Sequence, residues 1–174
     1  MRLLSYTACL LLSACLFAFK GAPAPNSLLT FQTGQGPVSL SSNGVLVEVQ
    51  SNGPAFRLRF KPDVFAEGQQ ADKKKLLPIL MADAYGVVEF SGNLAKAPST
   101  LAVGKATTVV ATGTLNLFGQ RMQQQIPVTI TRKKDGSLAY ACTLLLDIDK
   151  DATAKQRAAG LGVSGPVVLK VTQL

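Results

Sequence analysis

The stretch Thr107 to Thr131, TTVVATGTLNLFGQRMQQQIPVTIT, alternates apolar and polar residues on both sides of a connection that opens with Phe118-Gly119. A period of two lets a β-strand face one side to an apolar interior and the other to water. An α-helix would scatter the same apolar residues around its surface. The stretch therefore predicts a β-hairpin.

Short runs of the same kind recur along the chain, separated by turn residues such as Asn43-Gly44 and Lys134-Asp135-Gly136. They predict an all-β fold, an antiparallel eight-stranded lipocalin-like β-barrel with one or two short capping helices. The predicted strands are Leu28 to Thr33, Val45 to Gln50, Ala55 to Lys61, Val87 to Leu94, Thr107 to Leu117, Gln125 to Thr131, Leu138 to Ile148 and Val167 to Gln173.

Two segments lack the strand pattern and are predicted to cap the barrel. Gln69 to Tyr85 has a helical composition, but Pro78 interrupts it and favours two short turns. Asp151 to Ala159 is predicted to be a helix with Asp151 as its N-cap. The first segment is too apolar to be left in water, because it contains Leu76, Leu77, Ile79, Leu80 and Met81.

The alternation also predicts which side chains point inward. Phe56, Leu58 and Phe60 share one face of a strand whose other face is basic, so the apolar face lines the interior. An eight-stranded barrel is just wide enough to be filled by such side chains or to hold one apolar ligand, and the sequence leaves both options open. The predicted lumen-lining residues are Phe56, Leu58, Phe60, Val88, Phe90, Leu115, Leu117, Ile126, Val128, Tyr140, Cys142 and Leu144.

The N-terminal residues are typical of an export signal. Arg2 precedes an apolar run from Leu3 to Phe19, and Leu12-Ser13-Ala14-Cys15 inside it resembles the bacterial lipobox, which ends at a lipidated cysteine. Cleavage before Cys15 is predicted; ordinary cleavage near Ala22 and an uncleaved anchor are the alternatives. The predicted organisation is a signal peptide over residues 1–20, a linker over 21–27 and a single β-barrel domain over 28–174.

The composition narrows the chemistry that the chain can perform. With no His among its 174 residues, Ser-His-Asp catalysis, Cys-His catalysis and His-ligated zinc are excluded. The run Asp147 to Asp151 has neither the Gly nor the final Glu of a calcium-binding loop. The sequence therefore predicts neither an enzyme, nor a metal site, nor a cofactor. A carboxylate pair for glycoside cleavage, from Glu48, Glu89 or Asp83, is left open as an alternative, although Glu48 and Glu89 fall on the outward side of their strands.

The net charge of +8 comes from short clusters in different parts of the chain, and only 6% of the residues are aromatic. We therefore interpret the charge as a solvated exterior and expect no nucleic-acid partner.

Two segments, DAYGVVEFSG and GTLNLFGQRMQQQIPV, resemble the YceI-like polyisoprenoid-binding proteins. The matching residues are Tyr85, Phe90, Gly92, Gly113, Leu115, Gly119, Ile126, Pro127 and Val128. The resemblance runs from about Gly44 to the C-terminus and implies an exported lipocalin-like barrel with an elongated lumen for a polyisoprenoid or another long-chain lipid. Two residues depart from the family pattern, which often has Pro at the position of Gly86 and His at that of Phe118.

Together these features predict a periplasmic or membrane-anchored lipoprotein of a bacterial cell envelope, anchored through lipidated Cys15. Its predicted partner is a long-chain lipid in the apolar lumen. The alternative is a structural or interaction lipoprotein whose barrel core is filled, without a lumen ligand. The oligomeric state is left between a monomer and a homodimer.

Overall fold

A computed structural model describes residues 26–65 and 70–173, without the side chains of Gln70, Ala71 and Lys73. Nine strands carry the fold. They are β1 Ser27–Thr33, β2 Gly36–Ser42, β3 Leu46–Val49, β4 Ala55–Phe60, β5 Val88–Leu94, β6 Ala106–Leu117, β7 Gln120–Arg132, β8 Leu138–Leu146 and β9 Val163–Gln173. Three helices complete it: α1 Gln70–Ile79, α2 Ala82–Tyr85 and α3 Ala152–Gly160. Within the described ranges, no helix is both long and apolar enough to cross a bilayer.

All nine strands belong to one antiparallel sheet in the order β2-β1-β9-β8-β7-β6-β5-β4-β3. The sheet curls so that its two edge strands, β2 and β3, are joined by only three residues, Asn43 to Val45. Such a link spans at most about 14 Å. Strands β2 and β3 thus act as two halves of one bent strand, one half paired with β1 and the other with β4. This arrangement explains how nine strand segments form the predicted eight-stranded barrel.

The hairpin predicted from the opening stretch is confirmed. Strands β6 and β7 pair from Ala106–Thr131 to Leu117–Gln120. The turn between them consists of Phe118 with φ 57° and Gly119 with φ 70°, and positive φ at both central residues is typical of a type I′ turn. Phe118 is only 3% exposed, so burial of its ring offsets the strain of the left-handed backbone.

The strand ladder between β7 and β8 is incomplete. The first pair is Arg132 with Leu138 and the last is Val128 with Cys142. The next residue of β7 in this direction is Pro127, and there the ladder stops. Proline has no N–H to donate, and it commonly ends a ladder for this reason. Beyond Pro127 the side-chain amide of Gln124 donates to the Leu145 carbonyl at 3.2 Å. A side chain therefore bridges the two strands where their backbones no longer pair.

The three helices and the 3₁₀ turn Pro62–Val64 close one end of the barrel, and we call them the cap. Leu76 and Ile79 of α1 are fully buried in the same apolar core as the strands. At the strand ends, Phe65 packs edge-on against Phe60 with ring centroids 5.5 Å apart. The cap is therefore part of the core.

Three local predictions differ from the structure. Gly36–Ser42 forms β2 although no strand was predicted there, because Pro37 and three serines obscure its alternation. Strand β7 begins at Gln120, before the predicted Gln125, because its partner β6 extends its pairing to the turn. The break in the first capping segment falls at Met81, with φ 50°, whereas Pro78 lies inside the last turn of α1.

Candidate functional site

The twelve predicted lumen-lining side chains all lie on the inner face of the curled sheet. Each is at most 7% exposed, and the least exposed are Leu58, Phe90, Leu117, Ile126, Val128 and Leu144 at 0%. Their inward direction agrees with the prediction; their contact with a lipid stays a prediction. The sequence list missed the wall formed by β1 and β9, which contributes Leu29, Phe31, Val167, Leu169 and Val171. The same alternation could have found these residues.

The interior side chains cover one another. The rings of Phe56 and Phe90, for example, lie 6.0 Å apart and are tilted by 60°. Apart from Tyr140 and Cys142, the buried side chains of the described residues that carry a polar group are Ser27 and Ser42. The Ser27 hydroxyl donates to the Ser42 carbonyl at 2.6 Å. The interior formed by the described residues is therefore continuous and uncharged, which suits an apolar chain.

Tyr140 supplies the one hydroxyl among the predicted lining residues. Its hydroxyl donates to the Val47 carbonyl at 3.3 Å and also contacts the Gln173 side chain. Burial raises the pKa of Tyr140 to about 12, because removal from water disfavours the phenolate. Tyr140 thus joins β8 to β3 across the barrel, at the end of the strands opposite the cap.

Cys142 lies two residues further along the same inner face. Burial raises the pKa of its thiol to about 12, so the thiol stays protonated at neutral pH and is a poor nucleophile. This agrees with its interpretation as a small apolar core residue. Cys9 and Cys15 lie outside the described residues.

The apolar interior reaches the surface along β3. Val47 and Val49 face inward, since they pair with Leu58 and Phe56 on the same side of the sheet, yet both are only half-buried. A cleft of about 640 Å³ borders them. It is lined by Val47, Glu48, Val49, Gln50, Ala55, Phe56, Arg57, Ser91 and Gly92. At this edge, inward-facing apolar side chains are accessible from the surface.

A second cleft, of about 590 Å³, lies against the cap. Apolar side chains of α1 and the neighbouring turns line it together with Lys61, Asp63, Asp83 and Arg157. The Arg157 guanidinium donates to the Pro78 carbonyl at 3.1 Å and lies 3.4 Å from an Asp83 carboxylate oxygen. Arg157 therefore holds α3 against α1 and α2, and the cleft combines charges of both signs.

The acidic residues singled out in the sequence have structural partners. Asp151 caps α3 by accepting the Ala154 N–H at 2.8 Å, as predicted, and Asp147 accepts the Asp149 N–H at 3.2 Å. Glu48 and Glu89 lie outside the barrel beside Arg57, at 3.8 and 3.3 Å. In the part of the chain that the structure describes, no three potential metal ligands lie together.

No family model matches the sequence, and no curated protein matches it either. Solved structures do match. A polyisoprenoid-binding domain from Saccharophagus degradans, implicated in plant cell wall breakdown, superposes with a TM-score of 0.60 at 14% identity, covering 87% of this chain and 97% of that one. BcnA of Burkholderia cenocepacia gives 0.59 at 15% identity, covering 84% and 94%. The chain shares the fold of these two proteins, as the sequence resemblance implied.

A YceI protein of Campylobacter jejuni also matches, with a TM-score of 0.49 at 14% identity and 99% coverage of both chains. The nine-stranded antiparallel sheet and the fold shared with the Saccharophagus degradans domain confirm the predicted antiparallel barrel.

Proposed function

We propose that this YceI-like protein is an exported envelope protein that binds a polyisoprenoid or another long-chain lipid inside its barrel. The observation that carries the proposal is the continuous uncharged interior, which reaches the surface at half-buried Val47 and Val49. The fold neighbour from Saccharophagus degradans, which is a polyisoprenoid-binding domain, supports the same ligand class.

Burial of apolar surface is sufficient to hold such a ligand. An isoprene unit gains roughly 3 to 4 kcal/mol at about 0.8 kcal/mol per methylene-sized group, before the costs of association. Because the interior side chains already cover one another, an inserted chain must separate them and gains less. We therefore expect several units to be needed, and the barrel to expand when it is loaded.

The proposal is tested by extracting lipid from the full chain purified from membranes and identifying it by mass spectrometry. We expect a stoichiometric long-chain lipid in the wild type, and its loss in Phe90→Trp, which enlarges a fully buried inner side chain. Val110→Trp, on the outer face where Val110 is 41% exposed, is the matched control and should retain the lipid. Absence of lipid from wild type and control alike would contradict the proposal.

The filled-core alternative keeps one specific observation in its favour, the near-complete burial of the inner side chains. In that case Phe90→Trp only overpacks the core and costs about 1 to 3 kcal/mol of stability. Added lipid would leave the thermal unfolding temperature unchanged.

Export and lipidation form the second part of the proposal, and Cys15 lies outside the described residues. The lipobox-like Leu12-Ser13-Ala14-Cys15 supports cleavage before Cys15 and its acylation. Wild type should partition into a detergent phase and carry a mass excess of a diacylglycerol group. Both properties should vanish in Cys15→Ser, and unchanged partitioning would indicate an anchor helix instead.

A further inference from the structure

Two loops distant in sequence are joined at the end of the barrel opposite the cap. The β5–β6 connection, residues 95–105, lies against the end of β7: the Gly104 N–H donates to the Arg132 carbonyl at 2.8 Å. In return, the Arg132 guanidinium donates to the Ser99 carbonyl at 2.9 Å. Residues 131–138, which contain the β7–β8 turn, therefore lie beside residues 95–105. We call these two segments the loop end.

The loop end is strongly basic. It carries five cations, Lys96, Lys105, Arg132, Lys133 and Lys134, and a single carboxylate, Asp135. The Asp135 carboxylate is occupied within its own turn, where it accepts the Ser137 N–H at 2.9 Å and the Ser137 hydroxyl at 2.7 Å. The ion pairs formed among the described residues involve none of these five cations. Lys96 and Lys105 thus belong to a loop that lies beside the Arg132–Lys134 cluster, although they are far from it in sequence.

An exposed apolar side chain lies among these lysines. Val103 is 49% exposed, and it is bridged to Arg132 in the adjacent segment. The combination of an apolar tip with surrounding lysines suits an anionic lipid surface, since the apolar group enters the headgroup region while the lysines meet phosphates. Nucleic acid is disfavoured as the partner, because proteins that bind single strands stack the bases on exposed aromatic side chains. Among the described residues the large aromatic side chain that is exposed is that of Tyr85, and it belongs to the cap.

We propose that the loop end docks on an anionic membrane surface. This inference does not rest on a lipid inside the barrel, because a filled barrel presents the same surface. The occupant of the loop end is the face of a bilayer rich in anionic phospholipid, and the cap faces away from that bilayer.

The docking geometry is tested with single-tryptophan reporters, because the wild-type chain contains no Trp. The full chain carrying Cys15→Ser, which removes the acylation site, is given Val103→Trp and mixed with vesicles of phosphatidylcholine with or without phosphatidylglycerol. We expect a blue-shifted emission only when phosphatidylglycerol is present. Tyr85→Trp, at the cap, should show no shift, and an equal shift at both positions would overturn the proposal.

The role of charge is tested with two matched pairs of substitutions. Lys133→Gln with Lys134→Gln should weaken binding to the anionic vesicles roughly 25-fold, at about fivefold for each lysine near the surface. Lys74→Gln with Lys75→Gln removes the same charge from the cap and should change binding less than threefold. Equal losses from both pairs would show a general charge effect and overturn the proposal. A shift of the Val103→Trp reporter with duplex DNA but not with vesicles would overturn it in favour of nucleic acid.

Discussion

The two ends of the barrel are closed in different ways. At the cap, Leu76 and Ile79 are fully buried in the core that the strands form. Near the opposite end, the Tyr140 hydroxyl is bonded to the Val47 carbonyl, and Val47 and Val49 are only half-buried. The cap therefore shares the stability of the whole domain, whereas a few contacts at the loop end can open separately. We therefore expect access to the interior beside Val47 and Val49, even though the cap contains the segments that the sequence suggested as lids.

The largest expected effect tests whether the cap belongs to the core. Leu76→Ala removes a side chain that is 0% exposed and should lower the free energy of unfolding by about 3 kcal/mol, within the range for cavity-forming substitutions. Denaturant titration measures the change. Leu77→Ala, at a half-buried site on the cap cleft, should cost less than about 1.5 kcal/mol. A loss below about 1 kcal/mol for Leu76→Ala would show a detachable lid.

Glycines of positive φ at the two ends form a matched pair. In Gly119→Ala the new Cβ would lie 2.6 Å from Cε1 of Tyr85, in α2, on a backbone with φ 70°. Gly136→Ala, at the loop end, has φ 84° but no atom within 4 Å of the new Cβ. We expect Gly136→Ala to lower the free energy of unfolding by about 1 kcal/mol, from backbone conformation alone, and Gly119→Ala to lower it by about 2 kcal/mol. Thermal unfolding compares them, and equal losses would show that Tyr85 moves aside freely.

The pH dependence of stability tests how dry the interior is between the two ends. The folded-state pKa of Cys142 is raised to about 12, above its value in the unfolded chain, so the unfolded state loses its proton first as pH rises. Stability is therefore complete below about pH 8.5 and falls by about 1 kcal/mol from pH 9 to 10. Urea titrations of wild type and Cys142→Ala across this window measure the slope. The same slope in both proteins would show that the thiol is solvated.

The smallest effect sharpens the description of the loop end. Tyr140→Phe removes the hydrogen bond to the Val47 carbonyl and should lower stability by about 1 kcal/mol, while amide exchange in β3 rises more than in the other strands. Tyr85→Phe is the control, because the Tyr85 ring is 45% exposed and its hydroxyl can be solvated. Unchanged amide exchange in β3 would show that the backbone hydrogen bonds to β4 keep β3 in place without Tyr140.

The sequence predicted those features that depend on local patterns. The β6–β7 hairpin, the inward direction of Phe56, Leu58 and Phe60, and the capping role of Asp151 each follow from residues close together in the chain. Strand β2 was missed because Pro37 and its serines leave Val38 and Leu40 as isolated apolar residues. The loop end could not be predicted, since only the pairing of β6 with β7 brings Lys105 and Lys133 to the same end of the hairpin. The packing density of the interior also depends on how the strands curl, which alternation does not specify.

The pairing of β1 with β9 has a consequence for how the molecule folds. Each of the strands β3 to β7 pairs with the next strand in the sequence, so these strands can form as the chain is synthesised. Ser27 of β1, in contrast, pairs with Val171 of β9, which is synthesised last. Closing so long a loop is entropically costly and slow. The last strand to be synthesised, β9, is therefore the one that closes the barrel. Until β9 is in place, β1 and β8 both expose unpaired edges, and the chain is most open to aggregation or to capture by a chaperone.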